Sequence, residues 1–156
     1  MQFALRNAVS GDEPSIQSVV GGVLREYGFV FEPAAFDADL DDVVVHYHHR
    51  GGLFRVLIDE AGDIVGCGGL FPLNAGEAEI RKMYTLPHAR GLGYGRQLLG
   101  DLIAHARAAG FHRVVLETSS RLPGAGAHLY KQFGFVDVPH SHPSPRSDMA
   151  MALSLR

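Results

Sequence analysis

The segment Arg90-Gly91-Leu92-Gly93-Tyr94-Gly95 constrains this chain more than any other, because three glycines at alternate positions join a strand-like stretch to the clearest helical pattern. Glu77 to Thr85 reads as the strand. Gly93 to Ala109 carries Leu98, Leu99, Leu102, Ile103 and Ala106 at helical spacing, with Gly110 as the C-terminal stop. Glycine lets a ligand come close to the main chain. The first amides of a helix have no partner within it, so they can donate together to a phosphate oxygen. The helix dipole adds about 1 kcal/mol or less where the site is exposed. A pyrophosphate suits such a place.

The glycine spacing separates this loop from two other phosphate binders. A P-loop ends in Gly-Lys-Ser/Thr, which is missing, and the dinucleotide fingerprint needs two residues between its second and third glycines, whereas Gly93 and Gly95 are one residue apart. Taken alone, the loop also fits a flexible connection with a glycine-lined packing contact.

Around this centre the pattern predicts a strand at Phe3 to Ala8, then a helix with Asp12 as N-cap, Pro14 in its first turn and a stop at Gly28. Phe29 to Arg50 reads as a second helix, with the acids from Asp37 to Asp42 on a solvated face. Leu53 to Ile58 and Ile64 to Phe71 form a hairpin about Glu60-Ala61-Gly62-Asp63. Val114 to Glu117 is a short strand, Pro123 opens a helix ending at Gly134, and Phe135 to Val138 and Met149 to Leu155 are closing strands around the loop Pro139 to Ser147. This order predicts an α/β chain of the mixed α+β kind, one mixed sheet with helices on its faces.

Composition narrows the function. With 156 residues, 46% of them hydrophobic, the chain is expected to form one domain over 1–156. Its 17 acids and 14 Lys and Arg are dispersed and leave a formal charge of −3, so no basic field is available for nucleic acid or an anionic membrane. No apolar run approaches the roughly 20 residues that cross a bilayer. Cys67 stands alone, and Met1 to Val9 lacks the cationic head and apolar run of a leader, so a soluble cytoplasmic protein is expected. Cys67 lies among small and apolar strand residues, where an inert buried thiol is expected. The clusters His46, His48, His49 and His140, His142 lack metal-ligand spacing, and no metal is expected.

The run from Glu79 through Met83, Tyr84, Thr85 and Pro87 to Arg90, Gly93 and Gly95 resembles the central motif of GNAT acetyltransferases: Gln or Arg, two residues, Gly, one residue, Gly or Ala. Downstream, Ala127-His-Leu-Tyr130-Lys-Gln-Phe-Gly134-Phe135 is similar to that superfamily's closing helix. The resemblance implies a mostly antiparallel sheet splayed at the cofactor site. It also implies acetyl-CoA as donor and an amine as acceptor. Arg90, Gly91, Leu92, Gly93, Tyr94, Gly95 and Arg96 would lie at the pyrophosphate, held by the amides from about Leu92 to Arg96. Met83, Tyr84 and Thr85 would flank pantetheine, with the Met83 amide on the acetyl carbonyl. Many relatives pair, so a homodimer is possible.

Catalytic roles follow from the same resemblance. An alkylamine is mostly protonated near neutral pH and must lose a proton to attack, and Glu79 matches the general-base position. Glu79 to Met83 spans roughly 13 Å of extended strand, shorter with a bulge, so transfer through water is expected. The other reading of Glu79 is a strand acid paired with Arg81. Tyr130 matches the acid that protonates the thiolate; otherwise it is a packed aromatic with a hydrogen-bonded hydroxyl. A rival of another class is a non-catalytic acyl-CoA-binding module using the same loop.

Overall fold

The computed structural model describes residues 2–122, 125–142 and 144–156. Seven strands form one sheet: β1 (Ala4–Asn7), β2 (Leu53–Ile58), β3 (Ile64–Pro72), β4 (Glu77–Thr85), β5 (Arg113–Thr118), β6 (Val136–Val138) and β7 (Met149–Ser154). Their order across the sheet is β1-β2-β3-β4-β5-β7-β6, and only β4 with β5 runs parallel. That parallel pair needs a crossover, supplied by the long helix that follows the glycine loop.

Two helices bury opposite faces. Helix α1 (Glu13–Glu26) turns Ile16, Val19, Val20 and Leu24 onto Phe54, Val56 and Cys67, in a layer completed by Leu40, Val43 and Tyr47. One-turn α2 (Val43–His46) supplies Val43, and α3 (Tyr94–Ala108) covers the other face. There Leu98, Leu99, Leu102, Ile103 and Ala106 pack with Leu70, Ala78, Ile80, Val114 and Met151. Helix α4 (Ala125–Gln132) joins the same layer through Tyr130; Pro123, expected to open this helix, lies outside the described residues.

The expected long helix over Phe29 to Arg50 does not form. The segment folds as a 3-10 turn at Ala38–Asp41, α2, and a second 3-10 turn at His48–Arg50. Pro33 and three successive β-branched valines, Val43 to Val45, disfavour a continuous helix. The acids of this stretch do not share one solvated face: Asp41 is exposed, whereas Asp37 and Asp39 turn inward. Asp37 is 1% exposed, and both Asp37 and Asp39 are ion-paired. Such burial of carboxylates is tolerated only with cations and donors at hand, and a long helix would carry these side chains away from them.

The sheet separates where the site forms. β4 and β5 stay in register from Glu77 opposite Arg113 to Ile80 opposite Leu116. Beyond that, Arg81–Thr85 follow β3, whereas Glu117 and Thr118 remain with β7, opposite Ala150 and Met149. The divergence starts at a bulge. Cys67 faces Tyr84 and Gly69 faces Arg81, so Gly68 alone opposes Lys82 and Met83, and Lys82 takes φ 55°. A side chain at Gly68 would crowd its neighbours. A Cβ there would stand 3.0 Å from Leu98 Cδ2 and 3.4 Å from Met83 Cγ.

Candidate active site

The opening between β4 and β5 continues into a cleft of about 750 Å³. The cleft is lined by both faces of the splay: Met83 and Tyr130 toward α3 and α4, and Glu79, Arg81 and Glu117 on the opposite face. Glu79 is opposite Val115 in register, and strand side chains alternate, so Glu117 shares the face of Glu79. It stands two residues nearer the splay.

At one end of the splay the glycine loop enters α3. Gly91 and Gly93 have φ of 74° and 89°, and a Cβ at either would meet nothing within 4 Å, so the loop surface is open. Gly93 is the N-cap of α3 and no side chain caps that end. The leading amides are therefore available to an anion, which is the condition a pyrophosphate requires. Leu92 is exposed at the loop tip. Tyr94 turns away from this surface, with its ring 5.1 Å from Phe3 and its hydroxyl accepting from the Phe3 amide. The Arg96 guanidinium reaches the Gln132 side chain on α4.

Arg90 is used differently from the rest of the motif. Its guanidinium donates to both Glu26 carboxylate oxygens, at 2.9 and 2.8 Å, and to the Tyr27 hydroxyl at 3.1 Å. Its Nε donates to the Thr85 carbonyl at 2.8 Å. The side chain thus binds the end of β4 to the end of α1. Thr85 serves this junction through its carbonyl.

Tyr130 is 9% exposed, packed edge-on to Phe135, and its hydroxyl points to Met83 Sδ at 3.9 Å, a weak acceptor. Burial, followed by the neighbouring Tyr84, pushes the phenol well above its ordinary value, so it stays protonated. Burial likewise pushes Tyr84 up to about 12. Cys67 is fully buried, donates to the Lys82 carbonyl at 3.2 Å, and is raised to about 12 by burial. A thiol so protonated and enclosed is no nucleophile.

The cleft's roof is a charge network that the sequence pattern did not reveal. Arg146 donates to Asp37 at 2.7 and 2.6 Å in a bidentate pair and lies 4.5 Å from the Phe36 ring centroid. Lys82 Nζ reaches Asp37 and Asp39, each at 3.2 Å, and the Tyr47 hydroxyl donates to Asp39 at 2.5 Å. Burial pushes the Asp37 carboxyl up. Hydrogen bonds from Arg146 and the Glu32 amide, with the charges of Lys82 and Arg146, outweigh that and hold it below its usual range. One sequence signal was available: Arg81-Lys82, two charged residues in succession, breaks the alternation of β4 at the bulge.

Among the carboxylates that line the cleft, Glu77 is paired with Arg113 at 2.7 Å and Glu79 with Arg81, whose guanidinium stacks 3.8 Å over Phe71. Glu117 has no cationic partner among the described residues; its one contact is the Ser147 hydroxyl at 3.5 Å. Among the described residues no group of three or more His, Cys, Asp or Glu side chains could hold a metal, and no helix is long and apolar enough to cross a membrane. His48 accepts from the Phe54 amide at 3.0 Å, His46 sits 3.0 Å from Asp41, and His142 lines the cleft.

A splayed sheet with a β4 bulge, an uncapped helix end beside it and a phenol at the opening defines an acyl-CoA-dependent transferase. Residues 17–135 match the Acetyltransferase (GNAT) family, and the chain belongs to it. It is 34% identical over 142 residues to the uncharacterized N-acetyltransferase YjgM of Escherichia coli, covering 88% of this chain and 84% of that protein. A GNAT-family acetyltransferase from Staphylococcus aureus superposes with a TM-score of 0.89 at 19% identity, over 99% of this chain and all of that one. A phosphinothricin acetyltransferase from Sinorhizobium meliloti, solved in complex with acetyl-CoA, gives 0.78 at 22% identity, over 99% and 89% of the two chains. Acetyl-CoA is the acyl donor, and the chemistry is N-acetylation.

Proposed function

We propose that this protein transfers the acetyl group of acetyl-CoA directly to a primary amine held in the cleft, with the bulge and the phenol of Tyr130 at the reaction centre. One observation carries the reading: Met83 and Tyr130 meet at the point where β4 leaves β5, with the open end of α3 close by in sequence on the same strand–loop–helix unit.

The donor supplies an activated thioester; the chain supplies position and charge. Amides from Leu92 to Arg96 hold the pyrophosphate, with Gly91, Gly93 and Gly95 keeping the approach clear. The backbone of Met83, Tyr84 and Thr85 pairs with pantetheine as a strand would, along the edge that β5 leaves open. The amide of Met83 donates to the acetyl oxygen as negative charge builds there, an interaction of a kind that contributes about 3 kcal/mol in oxyanion holes. Tyr130, kept protonated by its burial, gives its proton to the departing sulfur.

The amine arrives from the Glu79 face. Glu79 takes part through water, since it is bound to Arg81 and stands four residues before Met83. Arg81, stacked on Phe71, holds that carboxylate in place. The test is thiol release from acetyl-CoA across a panel of amines and peptides, with products identified by mass. Acetyl-CoA binding without thiol release from any acceptor would instead mark a sensing module.

A further inference from the structure

We infer that Lys82 is a positioning residue: its ion pairs with Asp37 and Asp39 hold the left-handed turn of the bulge and so aim the Met83 amide at the acetyl oxygen. This rests on the acyl-transfer reading and adds to it side chains to which neither motif gives a role.

Lys82 takes φ 55°, the one positive value outside glycine among the described residues. A side chain makes that conformation costly, and it persists only where the surroundings fix it. Here they fix both side chain and main chain. The Lys82 side chain is 7% exposed, and its ammonium lies 3.2 Å from Asp37 and 3.2 Å from Asp39. Each carboxylate is itself anchored, Asp39 by the Tyr47 hydroxyl at 2.5 Å and Asp37 by Arg146 and by the Glu32 amide at 2.7 Å. A cation so held cannot follow its main chain into another conformation without leaving two enclosed acids short of a partner.

The main chain is gripped on the other strand. The Lys82 carbonyl accepts from the Cys67 thiol of β3 at 3.2 Å. In a trans peptide the next N–H points opposite to that carbonyl, so the Met83 amide faces away from β3, on the side where β5 departs. Relaxing the turn at Lys82 would swing this amide out of line. The ion pairs of the roof thereby act on the donor through the backbone, without touching it.

The experiment uses the full chain with spermidine, tyramine and a lysine peptide as acceptors. A second measurement needs no turnover: alkylation by iodoacetamide of Cys67, the single cysteine of the sequence. Lys82→Ala and Lys82→Gly delete the same side chain, and only glycine takes a positive φ freely. Lys82→Ala should lower kcat by about 10²-fold with KM for acetyl-CoA within about threefold of the wild type. It should also speed Cys67 alkylation about tenfold, as the bulge opens locally. Lys82→Gly should recover about tenfold in kcat over Lys82→Ala and alkylate within about threefold of the wild type. Asp39→Asn should lower kcat about tenfold by itself and less than about twofold on the Lys82→Gly background, where the clamp is already gone. Equal losses in Lys82→Ala and Lys82→Gly, wild-type kcat in Lys82→Ala, or a loss confined to KM would overturn the assignment. If neither Lys82 variant folds, Asp39→Asn decides: a lower kcat with KM held supports the clamp, and an unchanged kcat sinks it. If the wild type releases no thiol with any acceptor, acyl transfer fails and alkylation alone judges the clamp. Faster labelling in Lys82→Ala than in Lys82→Gly then upholds it, and equal rates overturn it.

Discussion

The two halves of the proposed site are built in opposite ways. The half proposed for the cofactor is main chain: a bulge, an open strand edge and the uncapped start of α3, all within Glu77 to Arg96. The half proposed for the acceptor is side chain: Phe36, Asp37, Lys82 and Arg146 converge from separate elements. A main-chain site depends on backbone shape and tolerates changes of side chain that leave φ and ψ alone. A side-chain site depends on charge, and one neutralised group alters it. A donor common to many reactions suits the first construction, and an acceptor peculiar to one enzyme suits the second.

The largest test of this contrast is Asp37→Asn. It leaves Lys82 and Arg146 short of a buried partner, and breaking such a pair costs about 3 kcal/mol or more, read as a lower urea midpoint. Acetyl-CoA affinity of the folded variant should stay within threefold of the wild type. An equal loss at the cofactor end would erase the distinction.

Tyr130→Phe comes next. Removing a general acid should lower kcat by about 10²-fold, or about 2.7 kcal/mol, while acetyl-CoA affinity changes less than threefold. The hydroxyl meets only Met83 Sδ among the described residues, so stability should hardly move. Unchanged turnover, where chemistry limits the rate, would make Tyr130 a packing residue.

Gly93→Val probes the main-chain end with a smaller effect. No neighbour lies within 4 Å of the new Cβ, so the cost is the left-handed backbone, about 1–2 kcal/mol, expressed as roughly tenfold weaker acetyl-CoA binding by calorimetry. If affinity holds while the protein stays folded, the pyrophosphate lies elsewhere.

The smallest effect is on acid stability. Asp12, through its hydrogen bonds to Arg6, and Asp37 both have carboxyls below the ordinary range. Each stabilises the fold above the unfolded value, about 3.9, and that contribution is lost as pH falls through the lower folded value. The urea midpoint should therefore drop between pH 4 and pH 2, and less steeply in Asp37→Asn. Parallel slopes would show that the roof network does not set acid stability.

This division also explains what could be read from the sequence. The glycine loop, α3 and the hairpin are local patterns, and the structure reproduces them with ends shifted by a residue or so: Tyr94–Ala108 against an expected 93–109. The motif also marked Tyr130 at the opening. Arg90 was legible as a motif residue but not as the partner of Glu26, which is 64 positions away. The stretch after Phe29 was misread because its acids look like a water-facing helix. Their partners, Lys82 and Arg146, are distant in sequence, and no periodicity encodes an ion pair across the fold. Glu117 was read only as the end of a short strand, since its place on the cleft depends on where β4 turns away.

The bidentate tie between Arg146 and Asp37 spans 109 positions, and this gives the protein an order of assembly. On the ribosome, Asp37 emerges long before Arg146 is made. Asp37 has only Lys82 to meet until then, and a carboxylate short of partners resists leaving water. The roof over the cleft is therefore among the last parts of the fold that synthesis can complete, since Asp37 waits for a partner 109 positions downstream.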